Sequence, residues 1–343
     1  MTHLELFRLP DGRAWLGEGP FEDLAEMPSD GGVFYVNDFD LSDPRPWKRP
    51  SKLKELATGE LETLFASAQK PDIAWTKPLP EWFKMAFRRI RRDVLSHQLD
   101  KMVPAVTEMG VRRSGDYKAL IRSLFDAPAN NWAYAHIDGD NGFMGSTPEL
   151  LFRTEGPEVE TMALAGTAKP GDRDQFYTDV KEIDEHELVA DYLKQRLGQL
   201  GEVRRDPRGL CETGGLLHFQ TRLAVTLDQP ANPSELVPWL HPTPAVGCLP
   251  REDAWLDKLR EYRRQLSVPA FFGAPYGFAI DGVCHMAVAI RGLGWSGDSV
   301  FLPSGCGIVS GSAFDHEWRE LRLKREAVMR LLGLRHPTAL AAA

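Results

Sequence analysis

The sequence is poor in the features that mark several protein classes. Only four cysteines occur in 343 residues, at 211, 248, 284 and 306, with no C-x-x-C pair. That spacing argues against a disulfide framework or a cysteine zinc site, and for free thiols in a reducing compartment. No apolar run approaches the ~20 residues needed to span a bilayer. The opening stretch MTHLELFRLPDGRAW carries Glu5 and Asp11 where an export signal would be continuously apolar. A cytoplasmic protein is therefore expected. Excess positive charge is missing too: the net charge is −8, which disfavours a general nucleic-acid or anionic-membrane binder. There is no internal repeat and no low-complexity tract.

What is present is the composition of a globular protein, 43% hydrophobic and 26% charged. Helical apolar spacing runs through 81–96, 174–200, 251–266 and 315–333. In the first of these Arg88, Arg89, Arg91 and Arg92 read as a solvated face. From about residue 130, strands alternate with turns. NWAYAHIDGDNGFMGSTPELLF and YGFAIDGVCHMAVAIRGLGWSGDSVFLPSGCGIV both read as hairpins with Gly, Asp or Asn at the bends. This predicts an α+β fold with a large antiparallel β-sheet core flanked by helices. Pro-rich 42–52 and 69–81 read as connections. They set off residues 1–75, a partial layer of the same fold, from a main unit at 76–335, with 336–343 a frayed tail. No segment reads as a dedicated interface, so a monomer is expected.

KEIDEHELVADYL, residues 181–193, holds five carboxylates. At about 100° per residue, Val189, Leu193, Leu197 and Leu200 form one stripe with Tyr192 at its edge. Asp184, Glu187 and Asp191 face water, whereas Glu182 and Glu185 extend the apolar stripe. The last helix repeats the arrangement. Leu321, Val328, Leu331 and Leu332 form its stripe, Arg319, Arg322, Glu326 and Arg330 point away, and Glu317, Glu320 and Lys324 fall on the apolar side. Carboxylates on a buried face need a cation or a proton. One explanation is pairing within each helix, with Lys181 or His186 in one and nearby Arg or Lys in the other. The other is an oxygen-ligated Mg²⁺ held by both helices.

The remaining motifs are FMGSTPELLF (143–152), with Glu149 at the start of an apolar strand, and the small-residue loop ALAGTAKPGD (163–172). LHFQTRL (217–223), LHPTPAVGCLP (240–250), VAIRGL (288–293) with Arg291 in an apolar strand, and the Gly-rich SGCGIVSGS (304–312) follow. Together and in this order, these segments resemble the chorismate-utilising enzymes: isochorismate, salicylate, anthranilate and aminodeoxychorismate synthases. The resemblance covers roughly residues 80–333, and HPTPAVG is most similar to the isochorismate synthases.

The resemblance implies that family's α+β fold, with a cleft between two subdomains, and a role for each matching residue. Glu185 and Glu320 would hold Mg²⁺, with Glu182 and Glu317 beside them. Arg291 and Lys324 would bind the carboxylates of chorismate, with Gly166, Thr167, Gly305 and Gly307 around the pocket and His218 lining the ring site. Glu149 would be the general acid, favoured by an apolar setting that keeps it protonated. Lys101 would be the general base. In KMVPAV, Pro104 and Val106 replace the family's usual Leu and Arg, so the strand is expected to be an edge or to bend there. The implied reaction converts chorismate to isochorismate. The other readings are a salicylate synthase, an ammonia-using synthase of the anthranilate or aminodeoxychorismate type, and a non-catalytic chorismate-binding protein. The menaquinone and siderophore pathways both fit the product.

The resemblance also implies the attacking group, because ammonia-using relatives carry glutamine where this chain has Lys101. Turnover in ¹⁸O-water with added ammonium should give labelled isochorismate and no amine by mass spectrometry. A substantial aminated product would move the chain to the anthranilate branch.

Overall fold

The computed structural model describes residues 3–57, 60 and 63–335; the expected tail at 336–343 lies outside them. Most of its strands are hydrogen-bonded in one antiparallel path. From Asp72–Thr76 the path runs through Ala105–Ser114, Ser299–Gly305, Gly292–Ser296, Asn141–Thr147, Trp132–Asp138 and His3–Arg8 to Ala14–Leu24. It continues through Trp47–Leu56, Val33–Val36, Pro275–Ile280, Val283–Val288, Leu150–Glu155 and Glu158–Ala168 to Leu216–Thr226. The N-terminal strands thus lie in the middle of the path and join its two arms.

Period-two alternation explains how the arms pack. In His3–Arg8, Leu4 and Leu6 face one core while Phe7 faces another. In Trp132–Asp138, Ala133, Ala135 and Ile137 take the first face, and Trp132 and Tyr134 take the second. The second face is aromatic. Phe7, Trp15, Phe34, Phe143, Tyr276 and Phe278 come from both arms and fill the space between them. Phe278 stacks on Trp15 with ring centroids 4.8 Å apart. The outer faces are covered by helices: α1 (Pro80–Leu95), α2 (Arg173–Thr178), α3 (Val180–Leu197), α4 (Pro233–Leu240), α5 (Asp253–Gln265) and α6 (Phe314–Leu332). No helix among the described residues is long and apolar enough to cross a membrane.

Several local expectations are corrected. The helical pattern at 174–200 is two helices, because Asp179 leaves helical geometry and its side chain caps α3 by accepting the Glu182 N–H. Pro-rich 42–52 and 69–81 are not plain connections: Trp47–Leu56 and Asp72–Thr76 are strands. Pro50 is tolerated because the second neighbour of its strand pairs only at Trp47 and Lys48, and because it faces a bulge in the first. The loop at 163–172 is mostly strand, ending in a bulge after Ala165. The strand expected to carry Arg291 stops at Val288. Leu331 is only half-buried, whereas Arg325 is buried against Glu108 at 3.1 Å.

Phe278→Ala should lower the unfolding free energy by about 3–5 kcal/mol, the usual cost of emptying a large aromatic site. Urea denaturation followed by tryptophan fluorescence measures it. A loss below about 1 kcal/mol would mean that the aromatic layer does not hold the two arms together.

Candidate active site

Helices α3 and α6 bring their first turns together, where the helix dipoles favour negative charge. Glu182 and Glu185 are 2% and 5% exposed, and Glu317 and Glu320 are 0% and 5% exposed. Both acidic pairs therefore lie on buried faces, as the spacing predicts. Asp184 and Asp191 are exposed, but Glu187 is half-buried and paired with Arg205 and Arg208.

Lys181 carries more than a pairing within its own helix. Its ammonium lies 3.0 Å from Glu182, 2.9 Å from Glu185 and 3.3 Å from Glu317. It thus ties α3 to α6. His186 contacts none of these carboxylates; it bonds Thr221 at 2.8 Å. On α6, Glu320 pairs with Lys324 at 2.6 Å. His316 adds a nitrogen 3.4 Å from Glu182. The local spacing gave no sign of either cross-helix contact.

The sheet supplies the other wall. Lys101 is 1% exposed, and its ammonium lies 3.1 Å from Glu185. Pro104 does not expel it: Lys101–Met102 pairs with Cys248–Leu249, the chain bends over Val103 and Pro104, and a new strand begins at Ala105. Glu149 is buried just before Leu150–Glu155. Gly166 adopts φ +73° at the bulge, which turns the next N–H, that of Thr167, onto Glu182 at 2.9 Å. The Thr167 hydroxyl donates to Glu320 at 3.1 Å. Gly307 is required by close approach: a Cβ there would lie 2.1 Å from a Glu185 oxygen and 2.5 Å from Lys101 Cε.

His218 and Arg291 form a linked pair. His218 Nδ1–H donates to the Gly166 carbonyl at 2.6 Å, so Nε2 is free to accept from the Arg291 guanidinium at 2.8 Å. Arg291 has φ +55° in the bend between two strands. Lys324 donates to the Gly305 carbonyl at 2.8 Å.

All the site residues singled out from the sequence except Glu182 and Glu317 line one cavity. Those two stand behind it. Val103, Val246 and Ile290, which lie inside the quoted motifs without having been given a role, add apolar wall together with Phe272, which lies outside them.

Buried charges of both signs set the protonation states. Burial raises Glu149 to about 7, against the opposing pull of Lys101, Lys324 and Arg291. Burial also raises Glu317 to about 7, with Lys181 opposing and Glu320 adding to the shift. For Glu185, burial is outweighed by Lys101 and Lys181, which hold it well below the usual carboxylate range. Burial lowers Arg291 to about 10 and, with Arg291 beside it, keeps His218 neutral.

The donor set fits a hard divalent cation. One oxygen of Glu320 is buried without a hydrogen-bond partner among the described residues, and Glu317 Oε1 meets the Lys181 ammonium at 3.3 Å without hydrogen-bond geometry. Glu182, His316 and Glu320 also bring ligand atoms within 4.8 Å of one another.

A family profile described as "Chorismate binding enzyme" matches residues 45–333. Isochorismate synthase MenF of Bacillus subtilis is 28% identical over 267 residues, covering 74% of this chain and 55% of the relative. The salicylate biosynthesis isochorismate synthase of Pseudomonas aeruginosa is 34% identical over 252 residues, covering 68% and 52%. The chain thus spans about half the length of these curated relatives. Among solved structures, the menaquinone-specific isochorismate synthase MenF of Escherichia coli superposes with a TM-score of 0.76 at 21% identity, over 97% of this chain and 89% of that one. That likeness bears on the fold.

A carboxyl raised from 4.5 to about 7 favours the folded state while protonated. Its contribution is fully present below pH 4.5 and is lost as pH rises through about 7. The stability of wild type relative to Glu149→Gln should therefore fall across that window, by up to about 3 kcal/mol. Denaturant titrations of both proteins at a series of pH values measure it. A flat difference would show that Glu149 is not held protonated.

Proposed function

The chain belongs to the chorismate-binding enzyme family, and from that premise we propose that it is an isochorismate synthase. The observation that carries the reading is that Lys101 and Glu149, the implied base and acid, are both buried in one cavity with Arg291 and Lys324. The isochorismate synthases among its relatives support the same choice.

In this reaction water adds at C2 of the chorismate ring, the double bonds shift, and the C4 hydroxyl departs. Lys101 is the base that takes the proton from the attacking water. Glu149, which holds its proton up to about pH 7, gives it to the departing hydroxyl. One water enters and one leaves, so the product is an isomer of the substrate. Arg291 binds a substrate carboxylate, its guanidinium aimed by the lone pair of His218 Nε2. Lys324 places a second positive charge on the cavity wall. The apolar wall of Val103, Val246, Phe272 and Ile290 limits bulk water and strengthens these contacts. Glu185 and Glu320, backed by Glu182 and Glu317, would hold Mg²⁺, which when bound supplies a fixed positive charge for a substrate carboxylate.

Product analysis with chorismate and Mg²⁺ tests the proposal. Isochorismate should accumulate, with no pyruvate in a coupled lactate dehydrogenase assay and no turnover after EDTA treatment. Lys101→Ala and Glu149→Gln should each lower kcat by about 10²–10⁴-fold with KM little changed. Pyruvate release at the rate of chorismate loss would make the protein a salicylate synthase. Chorismate binding without turnover would make it a non-catalytic binder.

A further inference from the structure

A second group of metal-ligating side chains lies away from this cavity, where the first strand meets Trp132–Asp138. His3 and Glu5 share the inner face of His3–Arg8, two residues apart. Register places His136 directly opposite Glu5. Both imidazoles point at one oxygen of Glu5: His3 Nε2 lies 3.0 Å away and His136 Nδ1 2.6 Å away. All three donor atoms fall within 4.8 Å of one another.

The surroundings call for positive charge. Glu5 is fully buried beside the aromatic layer, where a carboxylate needs positive charge or hydrogen-bond donors to offset its burial. Its second oxygen is 2.7 Å from the Tyr276 hydroxyl. That hydroxyl has one proton and also faces the carbonyls of Ala135 at 2.8 Å and Leu6 at 3.4 Å. At the outer end, His3 and His136 border a surface cavity that also carries Asp23, Asp43 and Asp138, with Lys48 paired to the first two.

We propose that His3, Glu5 and His136 form a binding site for a divalent transition-metal ion of the Zn²⁺ class, fastening the first strand to Trp132–Asp138. Two imidazole nitrogens and one carboxylate oxygen, with a fourth position open to solvent, are a recurrent zinc donor set. Metal–ligand bonds of about 2.0–2.1 Å put neighbouring tetrahedral donors roughly 3.3 Å apart. The contacts at 3.0 and 2.6 Å would open by about 0.3 and 0.7 Å to admit the ion. Tyr276 would act from outside, holding the carboxylate in place.

Co²⁺ is the probe, added to the full chain in excess Mg²⁺ and followed by visible absorption and calorimetry. One four-coordinate Co²⁺ should bind and be displaced by Zn²⁺. His3→Ala and His136→Ala should each weaken binding at least a hundredfold, and Tyr276→Phe by about tenfold. His3 begins a strand with its side chain 27% exposed, so His3→Ala should fold and decides the matter even if His136→Ala misfolds. A Glu185→Ala/Glu320→Ala variant, which dismantles the acidic cavity cluster, should keep the Co²⁺ signal. The proposal is overturned if wild type binds no Co²⁺ in this form, if His3→Ala leaves affinity unchanged, or if the signal vanishes with the two glutamates. The first outcome would leave the trio a hydrogen-bonded cluster, and the last would assign the ion to the cavity.

Discussion

The contact between Lys181 and the carboxylates of Glu182, Glu185 and Glu317 holds the rest of the site in place. Two helices cannot bring four acidic side chains to one buried junction unless positive charge comes with them. Lys181 supplies it from the first turn of α3 and reaches α6. Lys101 adds charge from the sheet and Lys324 from α6, pairing with Glu185 and Glu320. The junction thus locks helix to helix and helix to sheet. The same oxygen donors are the ones that the proposed Mg²⁺ would use.

Charge balance also divides the labour among the carboxyls. Glu185, beside two ammonium groups, stays ionised. Glu149 has no cation in direct contact at ion-pair distance among the described residues, and its burial keeps it protonated to about 7. One environment suits a ligand, the other a proton donor, although both groups line one cavity. The positions that close the site are backbone devices. Gly307 lets the chain pass against Glu185 and Lys101, and Gly166 turns the Thr167 N–H onto Glu182.

The two acidic helix faces were readable because helical periodicity is local: Glu182, Glu185, Glu317 and Glu320 sit in phase with their neighbouring leucines and valines. Arg291 stood out as a charge in apolar surroundings, and the hairpins announced themselves through Asp-Gly and Ser-Gly-Asp bends. The motif order pointed to the family, and with it to the fold. The misreadings came where a local rule met a tertiary exception. Pro50 sits in a strand because one side of that strand has no partner there, and the 163–172 segment remains extended because Leu216–Thr226 pairs with it.

Sequence alone therefore determined which residue types occupy which faces, since a residue's direction depends on a few neighbours along the chain. Only the tertiary structure decided which faces meet. Lys181 reaching Glu317, Lys101 turned inward despite Pro104, and His136 set opposite Glu5 all join elements far apart in the chain. Sheet register and helix packing make those choices, because they minimise buried charge and void over the whole molecule, and no short stretch of sequence contains both partners.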